Sequence, residues 1–559
     1  MPATAPEPAP AAAPTVLTAQ IAALGTDLRE SRYVTEHLEE VLGAVASAAL
    51  RREDPAPARR RLAGSTDPAA TLLALFVLGE TLPAARVAAA LPTLGLEGAQ
   101  RLGLLAPADR PAGDRPTADG HDVHTADGSA ADRPAADGPD GHPADRSAAD
   151  GPSVRALVDL APYAAEDDAG PLHWWIASDL SELATGAPLS PEHVLGVGGA
   201  SLTLARITPR TPVGRVLDLG CGGGIQAMHA SRHAEHVVAT DLSERALAFA
   251  AFNAALNGIE LDLRRGSLLE PVAGEVFDLV VSNPPFVITP RAGDDEHDPW
   301  TYRDGGRAGD TLLAELLAQL PAHLAPGASA VMLGNWEITD EEDGFAHPRG
   351  WLEPALADGV DAWVLQRDRE DPAEYAGTWA RDGGITPRDH RWDALIDAWL
   401  EDFASRAVEG IGFGYLLLRR PDAGRRGLLR TELTTGTGSG TLSEHLAASL
   451  AALDRLSALD DEALAATRPV RAEDVVERRH LTPGQWDPLL IELVQGAGLA
   501  RTVPADQALA ATVGALDGTL TLGQVIAAVC ALTDADVEET RARILPAVRE
   551  LALTGMVTL

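Results

Sequence analysis

Short apolar runs alternate with helical patterns through the middle of the chain. The run Val216–Leu219 ends in a turn rich in glycine, and Ile225–His233 then has the spacing of a helix. Further apolar runs end at Asp241 and, after Phe277–Val281, just before Asn283. Uninterrupted apolar runs separated by helices are typical of strands buried in a parallel sheet. This stretch therefore predicts an α/β core with polar residues at its strand ends.

Both ends of the chain have helical periodicity instead. Residues 19–105 contain several short helical patterns, among them Arg32–Leu42 and the apolar stretch Ala70–Leu78. The C-terminal region has an amphipathic pattern at Leu442–Leu459 and another helical pattern at Val537–Leu553. Helices followed by a short apolar strand are typical of winged-helix modules. We therefore expect a helical, winged-helix-like module on each side of the α/β core.

Composition marks the boundaries between these regions. Residues 107–152 repeat Ala-Asp-Gly and related sequences and contain almost no large apolar residues, which predicts a disordered linker. The aromatic stretch Tyr375–Trp399 predicts a helical insertion that packs on the sheet, and Trp174 and Trp175 are expected to pack against the α/β core. The predicted organisation is a disordered N-terminus (1–18), a helical winged-helix-like domain (19–105), an acidic linker (106–152), the α/β domain with its N-terminal lead-in (153–423) and a C-terminal winged-helix-like domain (427–559).

The charge balance bears on which partners the chain attracts. The chain has 45 basic and 82 acidic residues, a formal net charge of −37, and no lysine. Because long-range attraction to a phosphate backbone needs a positive surface, this balance argues against bulk nucleic-acid binding without excluding it. The two cysteines, Cys221 and Cys530, lie in different predicted domains, and no apolar run reaches the roughly 20 residues of a membrane span. We expect a cytoplasmic protein with no membrane partner and no metal ion; the oligomeric state stays open.

The glycine-rich turn after the first apolar run is one candidate binding site. Gly220, Gly222 and Gly224 allow the backbone to approach a ligand closely, and a helix N-terminus follows them. Asp241 lies about 20 residues further on, where an acid can accept both hydroxyls of a ribose. Counted from Gly220, the turn does not fit the G-x-G-x-x-G fingerprint of NAD enzymes, because Ile225 stands at the third glycine position. A tight turn without a ligand is the alternative.

The tetrapeptide Asn283-Pro284-Pro285-Phe286 is the second candidate site. It follows an apolar run, so we expect it at the carboxyl end of a strand, where open α/β sheets bind their ligands. The two prolines restrain the backbone and remove two N–H donors, which leaves carbonyl oxygens and the Asn283 side chain to accept hydrogen bonds. Such acceptors suit an NH2 group on a planar π-system, and Phe286 offers a ring for stacking. A rigid turn is the alternative here.

Together the two motifs resemble the class I S-adenosylmethionine (SAM) methyltransferases. The sequence NPPFVITP (283–290), followed by Gly305-Gly306, resembles the HemK-like enzymes that methylate the glutamine amide of peptide-chain release factors, within a broader amino-methyltransferase class. The resemblance covers about residues 195–420 and implies a Rossmann-like class I methyltransferase core. It implies catalytic roles for Asn283, Pro284, Pro285 and Phe286, and SAM contacts from Asp218, Gly220, Cys221, Gly222, Gly224, Asp241, Leu242, Ser267 and Asn283.

Two positions depart from the family pattern. Phe286 replaces the usual tyrosine, a change that nucleic-acid enzymes of the class tolerate more readily. Ser267 stands where many relatives have an aspartate that binds the adenine amine. The resemblance implies methylation of a protein glutamine, with a translation factor as a candidate partner. Methylation of a nucleobase amine in RNA or DNA stays open, as does a SAM-binding scaffold or regulator.

Overall fold

The computed structural model describes residues 12–108, 151–167, 169–186, 189–190, 192–285, 287–290, 309–422, 426–434 and 436–559. Most of the predicted N-terminal tail and of the acidic linker therefore lies outside the described residues. The chain divides into two compact units. The first comprises residues 1–166, 171–196 and 255–257, and the second comprises residues 167–170, 197–254 and 258–559.

The first unit is mainly helical, as its periodicity predicts. Its elements are α1 (Thr18–Glu30), α2 (Thr35–Leu50), α3 (Ala56–Leu62), α4 (Pro68–Phe76), β1 (Leu82–Pro83), α5 (Ala84–Ala90), α6 (Gly95–Arg101), β2 (Leu105–Pro107), β3 (Ser153–Ala156), β4 (Asp159–Asp167), β5 (Gly170–Ser178) and α7 (Glu182–Thr185). Helix α4 is almost entirely buried and begins after Asp67, whose carboxylate accepts hydrogen bonds from the N–H groups of Ala69 and Ala70. A small antiparallel sheet of order β1-β3-β2 and the pair β4-β5 complete the unit.

The lead-in expected in the α/β domain, from residue 153, folds with the first unit. Strand β3 pairs with β1 and β2, so main-chain hydrogen bonds join it to the helical module. The indole Nε1–H of Trp175 donates a 2.7 Å hydrogen bond to the carbonyl of Tyr33. Trp174 stacks on Tyr163, with 6.0 Å between ring centroids. Both tryptophans therefore make contacts inside the first unit, and packing of this pair against the α/β core stays a prediction.

The second unit is built on an eight-stranded sheet. Its strands are β6 (Val213–Leu219), β7 (Ala234–Asp241), β8 (Asp262–Arg265), β9 (Phe277–Ser282), β10 (Leu324–Ile338), β11 (Asp361–Glu370), β12 (Gly410–Arg419) and β13 (Leu429–Leu433). They lie in the order β13-β11-β12-β10-β9-β6-β7-β8. Strands β8, β7, β6, β9 and β10 are parallel, whereas β12 runs antiparallel to both of its neighbours. The carboxyl ends of β6, β7 and β9 therefore meet at one edge, and the predicted α/β core is confirmed.

Helices cover both faces of this sheet. They are α8 (Gly199–Ile207), α9 (Ile225–Ala230), most of α10 (Glu244–Leu256), α11 (Thr311–Gln319), α12 (Ala346–Ala357), α13 (Pro372–Asp382) and α14 (Trp392–Ser405). Val280 of β9 enters the apolar cluster that contains Leu316 of α11, whereas Val281 enters the cluster that contains Leu204 of α8. Adjacent strand residues point to opposite faces, so a strand covered on both faces is apolar throughout. Helices α13 and α14 confirm the insertion predicted from Tyr375–Trp399.

The C-terminal region also belongs to the second unit. Its elements are α15 (Leu442–Ser457), α16 (Asp461–Ala466), β14 (Val470–Arg471), β15 (Val475–Leu481), β16 (Pro488–Gln495), β17 (Thr502–Ala505), α17 (Gln507–Gly514), α18 (Leu522–Thr533), α19 (Val537–Leu553) and β18 (Val557–Thr558). Strand β13, expected in the C-terminal domain, joins the central sheet, where Leu429 pairs with Ala362. The Asp361 carboxylate accepts a 2.7 Å hydrogen bond from the Leu428 N–H. The core sheet thus extends past the domain boundary expected at residue 427, because β13 pairs with β11 and forms the outermost strand on that side of the sheet.

Candidate active site

The glycine-rich loop follows β6 and leads into α9. Gly220, Gly222 and Gly224 have φ angles of 71°, 52° and 85°, a region that favours glycine. The N–H groups of Gly220 and Cys221 both donate 2.9 Å hydrogen bonds to the carbonyl of Thr240, so the end of β7 supports the loop. A Cβ built on Gly220 or Gly222 meets no atom within 4 Å. The backbone of this loop therefore borders open space that a ligand can enter.

Asp241 lies at the carboxyl end of β7 and closes one side of that space. Its Oδ2 accepts a 2.9 Å hydrogen bond from the Gly222 N–H, and its Oδ1 accepts a 2.8 Å bond from the Ser243 N–H. Burial raises the pKa of Asp241, while these backbone hydrogen bonds act in the opposite direction. A carboxylate has about four acceptor sites, so both oxygens keep capacity for further donors. The half-buried Asp241 therefore fits a partner that offers hydroxyl groups.

Asp218 is on β6, beneath the loop. Its Oδ2 accepts a 2.8 Å hydrogen bond from the N–H of Ala227 in the first turn of α9, and the residue is fully buried. Burial raises the pKa of Asp218 to about 7, against the effect of that hydrogen bond. The Cys221 side chain is also buried, in the apolar cluster of the sheet, and its Sγ–H donates a weak 3.7 Å hydrogen bond to the Gly222 carbonyl. This geometry favours a loop-positioning role for Asp218 over a direct contact with a ligand amine.

Leu242 and Ser267 lie at the same edge of the sheet. Leu242 follows Asp241 directly, and 66% of its surface is exposed. Ser267 comes two residues after β8, and the preceding Gly266 N–H donates a 3.1 Å hydrogen bond to the carbonyl of Asp241. The structure therefore places both residues near Asp241, and their contacts with SAM stay a prediction. An exposed leucine beside a ribose-type acid offers an apolar contact for a planar ring.

The segment Asn283-Pro284-Pro285 leaves the end of β9, the strand beside β6. Just before it, the Ser282 hydroxyl donates a 2.8 Å hydrogen bond to the carbonyl of Leu219, the last residue of β6. Asn283 is half-buried, and its Oδ1 is buried without a hydrogen-bond partner among the described residues. Buried acceptors are normally paired, so an unpaired one at a cleft suits a ligand donor. Phe286 lies outside the described residues.

Several residues of this edge were not singled out from the sequence. Asn253 of α10 is fully buried and donates a 2.9 Å hydrogen bond from Nδ2 to the Gly223 carbonyl. Thr240 and Ser282 hold the two loops, as described above. A polar residue in an otherwise apolar helix, and a serine at the end of an apolar strand, were the signals available in the sequence. The partners of Asn253 and Ser282 lie 30 and 63 residues away, and only the fold shows them.

The described residues show neither a metal centre nor a membrane span. In that part of the chain, no group of three or more His, Cys, Asp or Glu side chains is arranged to hold a metal ion. Of the helices that the structure describes, none combines the length and the apolar character needed to cross a bilayer.

Comparison with known families agrees with the geometry of this edge. Residues 196–295 match the family described as the methyltransferase small domain, a stretch that contains both the glycine loop and the Asn-Pro-Pro segment. Residues 30–117 match a domain of unknown function, DUF7059. The first match therefore covers the site, and the second covers helices of the first unit.

Individual relatives share this segment. The chain is 35% identical over 162 residues to the release factor glutamine methyltransferase of Xylella fastidiosa (28% of this chain, 58% of the relative). It is 30% identical over 180 residues to the ribosomal protein uL3 glutamine methyltransferase of Bradyrhizobium diazoefficiens (31% and 56%). It is also 29% identical over 137 residues to the ribosomal RNA small subunit methyltransferase C of Alcanivorax borkumensis (24% and 37%). The chain thus spans 37–58% of the length of these three relatives.

A solved methyltransferase from Pyrococcus furiosus overlaps 39% of this chain and 81% of its own chain, at 16% identity and a TM-score of 0.24. The fold of the second unit follows from its sheet order and from the family match. The open glycine loop and the half-buried Asp241 fit SAM, which supplies an electrophilic methyl group on a sulfonium when it is bound. The second unit therefore has the fold of class I methyltransferases, and its residues 196–295 match the methyltransferase small domain and resemble the HemK-like enzymes.

Proposed function

We propose that the chain methylates the side-chain amide nitrogen of a glutamine in a protein substrate. The observation that carries this proposal is the unpaired, buried Oδ1 of Asn283 at the carboxyl end of β9. An acceptor in that position suits one hydrogen of an NH2 group. The neighbouring Pro284 carbonyl suits the other, since a backbone carbonyl has two lone pairs.

The glycine-loop side of the site would hold SAM. Gly220, Gly222 and Gly224 would let the backbone approach it, Cys221 would contribute main-chain atoms, and Asp241 would accept the ribose hydroxyls. Leu242 would cover the adenine ring, and Ser267 would border its amine. Asp218 would keep the loop in place through the N–H of Ala227. These roles agree with the position of each residue at the binding edge.

The chemistry asked of the protein is alignment. An amide nitrogen is a weak nucleophile because its lone pair is delocalised, so holding both hydrogens orients that lone pair toward the methyl group. A nitrogen–carbon bond then forms while the carbon–sulfur bond breaks, and the sulfur keeps the electron pair. The methylated nitrogen loses its extra proton to water, so no dedicated base is required. Orientation of this kind contributes several orders of magnitude to a rate.

Two observations support a protein substrate. Two of the relatives reported above carry the names release factor glutamine methyltransferase and ribosomal protein uL3 glutamine methyltransferase. The net charge of −37 also favours a basic protein partner over a phosphate backbone. A translation protein is therefore the candidate partner.

A nucleobase amine in RNA or DNA is the second candidate substrate. Similarity to a ribosomal RNA methyltransferase over 137 residues favours it. Phe286, in place of the family's tyrosine, also agrees with it. A non-enzymatic SAM-binding scaffold is the third reading, and the Asn-Pro-Pro-Phe sequence argues against it.

Transfer of radiolabelled methyl groups separates these three readings. Wild type and Asn283→Ala would be incubated with labelled SAM and a cell extract, and the products would be treated with protease or nuclease. We expect a protease-sensitive, nuclease-resistant label that Asn283→Ala removes, and methylglutamine after digestion of the labelled protein. A nuclease-sensitive label would indicate that the substrate is a nucleobase amine instead of a protein glutamine. SAM binding without any labelled acceptor would leave the scaffold reading.

A further inference from the structure

The backbone just beyond the Asn-Pro-Pro segment is held by two side chains from the helical insertion. The Ile288 N–H donates a 2.8 Å hydrogen bond to the hydroxyl oxygen of Tyr375 in α13. The Ile288 carbonyl accepts a 2.8 Å bond from the indole Nε1–H of Trp399 in α14. All three residues are fully buried. Both polar groups of one backbone unit are thus bound by side chains of a single helical pair.

This segment depends on side-chain support because of its prolines. In the segment 283–290, Pro284, Pro285 and Pro290 have no N–H group, so three of the eight residues cannot donate a main-chain hydrogen bond. Ile288 lies five residues after Asn283, with the two consecutive prolines between them. The restricted φ angles of Pro284 and Pro285 limit how the backbone can absorb a shift of Ile288 before it reaches the Asn283 side chain and the Pro284 carbonyl.

Tyr375 is itself held from the neighbouring strand. The Asn335 Nδ2–H of β10 donates a 2.8 Å hydrogen bond to the Tyr375 hydroxyl oxygen. The Tyr375 ring packs edge-on against Phe403 of α14, at a centroid distance of 5.7 Å and an angle of 80°. Burial raises the pKa of Tyr375 well above its ordinary value, so the hydroxyl stays neutral. The hydroxyl therefore joins the central sheet to the segment that follows the motif.

We infer that Tyr375 and Trp399 are positioning residues for methyl transfer, which hold Ile288 so that Asn283 and the Pro284 carbonyl face the substrate NH2. They lie outside residues 196–295, which match the methyltransferase family. The inference rests on the proposed function, because it assigns these two side chains to the amide-binding half of the site. They touch neither SAM nor the substrate, so their loss affects the chemical step and leaves SAM affinity intact.

Tyr375→Phe tests the first contact, because it removes only the hydroxyl. The matched control is Tyr33→Phe in the first unit: Tyr33 is also fully buried, and its hydroxyl donates a 2.8 Å hydrogen bond to the Leu160 carbonyl. Methyl transfer from labelled SAM into protein extract would be measured together with the Kd for SAM and the thermal midpoint. We expect kcat to fall about 10- to 100-fold in Tyr375→Phe, as small misplacements of reacting groups do. The Kd for SAM should stay within twofold.

Trp399→Phe tests the second contact, and Trp175→Phe is its control. Trp175 is likewise buried, and its Nε1–H donates a 2.7 Å bond to a backbone carbonyl. We expect Trp399→Phe to lower kcat at unchanged Kd for SAM, and both control variants to keep kcat within twofold. The tryptophan pair loses the same kind of hydrogen bond, from an indole N–H to a backbone carbonyl, and each tyrosine variant loses one buried, hydrogen-bonded hydroxyl, so the controls account for a general loss of stability.

Either of two results would overturn the inference. One is a kcat within twofold of wild type in both Tyr375→Phe and Trp399→Phe. The other is a loss of SAM affinity that parallels the loss of rate, which would indicate a general distortion. If Asn283→Ala abolishes methyl transfer while Tyr375→Phe and Trp399→Phe keep full activity, only the inference about Tyr375 and Trp399 fails. If Asn283→Ala keeps full activity, the proposed function fails instead.

Discussion

The Ser282 hydroxyl donates a 2.8 Å hydrogen bond to the carbonyl of Leu219, and this bond joins the two loops of the site at their origins. Ser282 is the last residue before the Asn-Pro-Pro segment, and Leu219 is the last residue before the glycine loop. Both residues are buried. The bond therefore couples the SAM side of the edge to the substrate side.

Ser282→Ala should weaken both stability and turnover. It leaves the Leu219 carbonyl buried without this donor, which costs about 1–3 kcal/mol. We expect a lower thermal midpoint and a reduced kcat in the methyl-transfer assay. Ser231→Ala is the control, because the Ser231 hydroxyl donates a 2.7 Å bond to the Met228 carbonyl away from the two loops. Equal kcat in the two variants would contradict a coupling role for Ser282.

Gly224→Ala and Gly222→Ala should separate two uses of glycine in the loop. Gly224 has φ +85°, and a Cβ there would lie 3.0 Å from the Ala250 Cβ, so the substitution strains the backbone and crowds α10. Gly222 has φ +52° and open space around it. We expect Gly224→Ala to lower the thermal midpoint more than Gly222→Ala does. For the same loss of thermal midpoint, Gly222→Ala should lower SAM affinity more than Gly224→Ala. Calorimetric titration with SAM and thermal unfolding measure the two effects, and the reverse order would refute this assignment.

Asp218 should make the stability of the protein depend on pH. Burial raises its pKa from 3.8 to about 7, so the folded state favours the protonated acid. The stabilisation of the folded state by Asp218 is fully present below about pH 4 and is lost as pH rises through about 7. Asp218→Asn keeps an acceptor for the Ala227 N–H but does not titrate. Between about pH 4 and pH 7, the free energy of unfolding of wild type should fall relative to that of Asp218→Asn, as measured by urea titrations. A difference between the two proteins that does not change with pH would contradict the raised pKa of Asp218.

Arg406→Ala should destabilise the carboxyl end of β10. Its guanidinium binds both oxygens of Glu337 at 3.0 Å and also pairs with Asp402, and the Glu337 side chain is 3% exposed. Removing Arg406 leaves Glu337 buried without this partner, at a cost of about 3 kcal/mol for a partly buried cation. Thermal unfolding measures the loss. Arg391→Ala, which removes an exposed pair with Asp389, should change the midpoint little, and an equal change would count against burial as the cause.

The sequence by itself determined the core strands and the two loops of the site. The runs Val216–Leu219 and Phe277–Val281 are apolar except for Asp218 and Asp278, because strands covered on both faces need apolar residues on both sides. The glycine loop and the Asn-Pro-Pro segment follow them directly, so both sites were predictable at strand ends. These signals are local: periodicity, glycine and proline act within a few residues along the chain.

Only the tertiary structure decided which distant segments meet there. Ile288 is held by partners 87 and 111 residues away, β13 completes the edge of β11, and the lead-in strands pair with the first unit. The raised pKa of Asp218 and the unpaired Oδ1 of Asn283 likewise arise from burial by several segments together. Main-chain pairing, desolvation and side-chain hydrogen bonds of this kind depend on three-dimensional packing, which local periodicity does not encode.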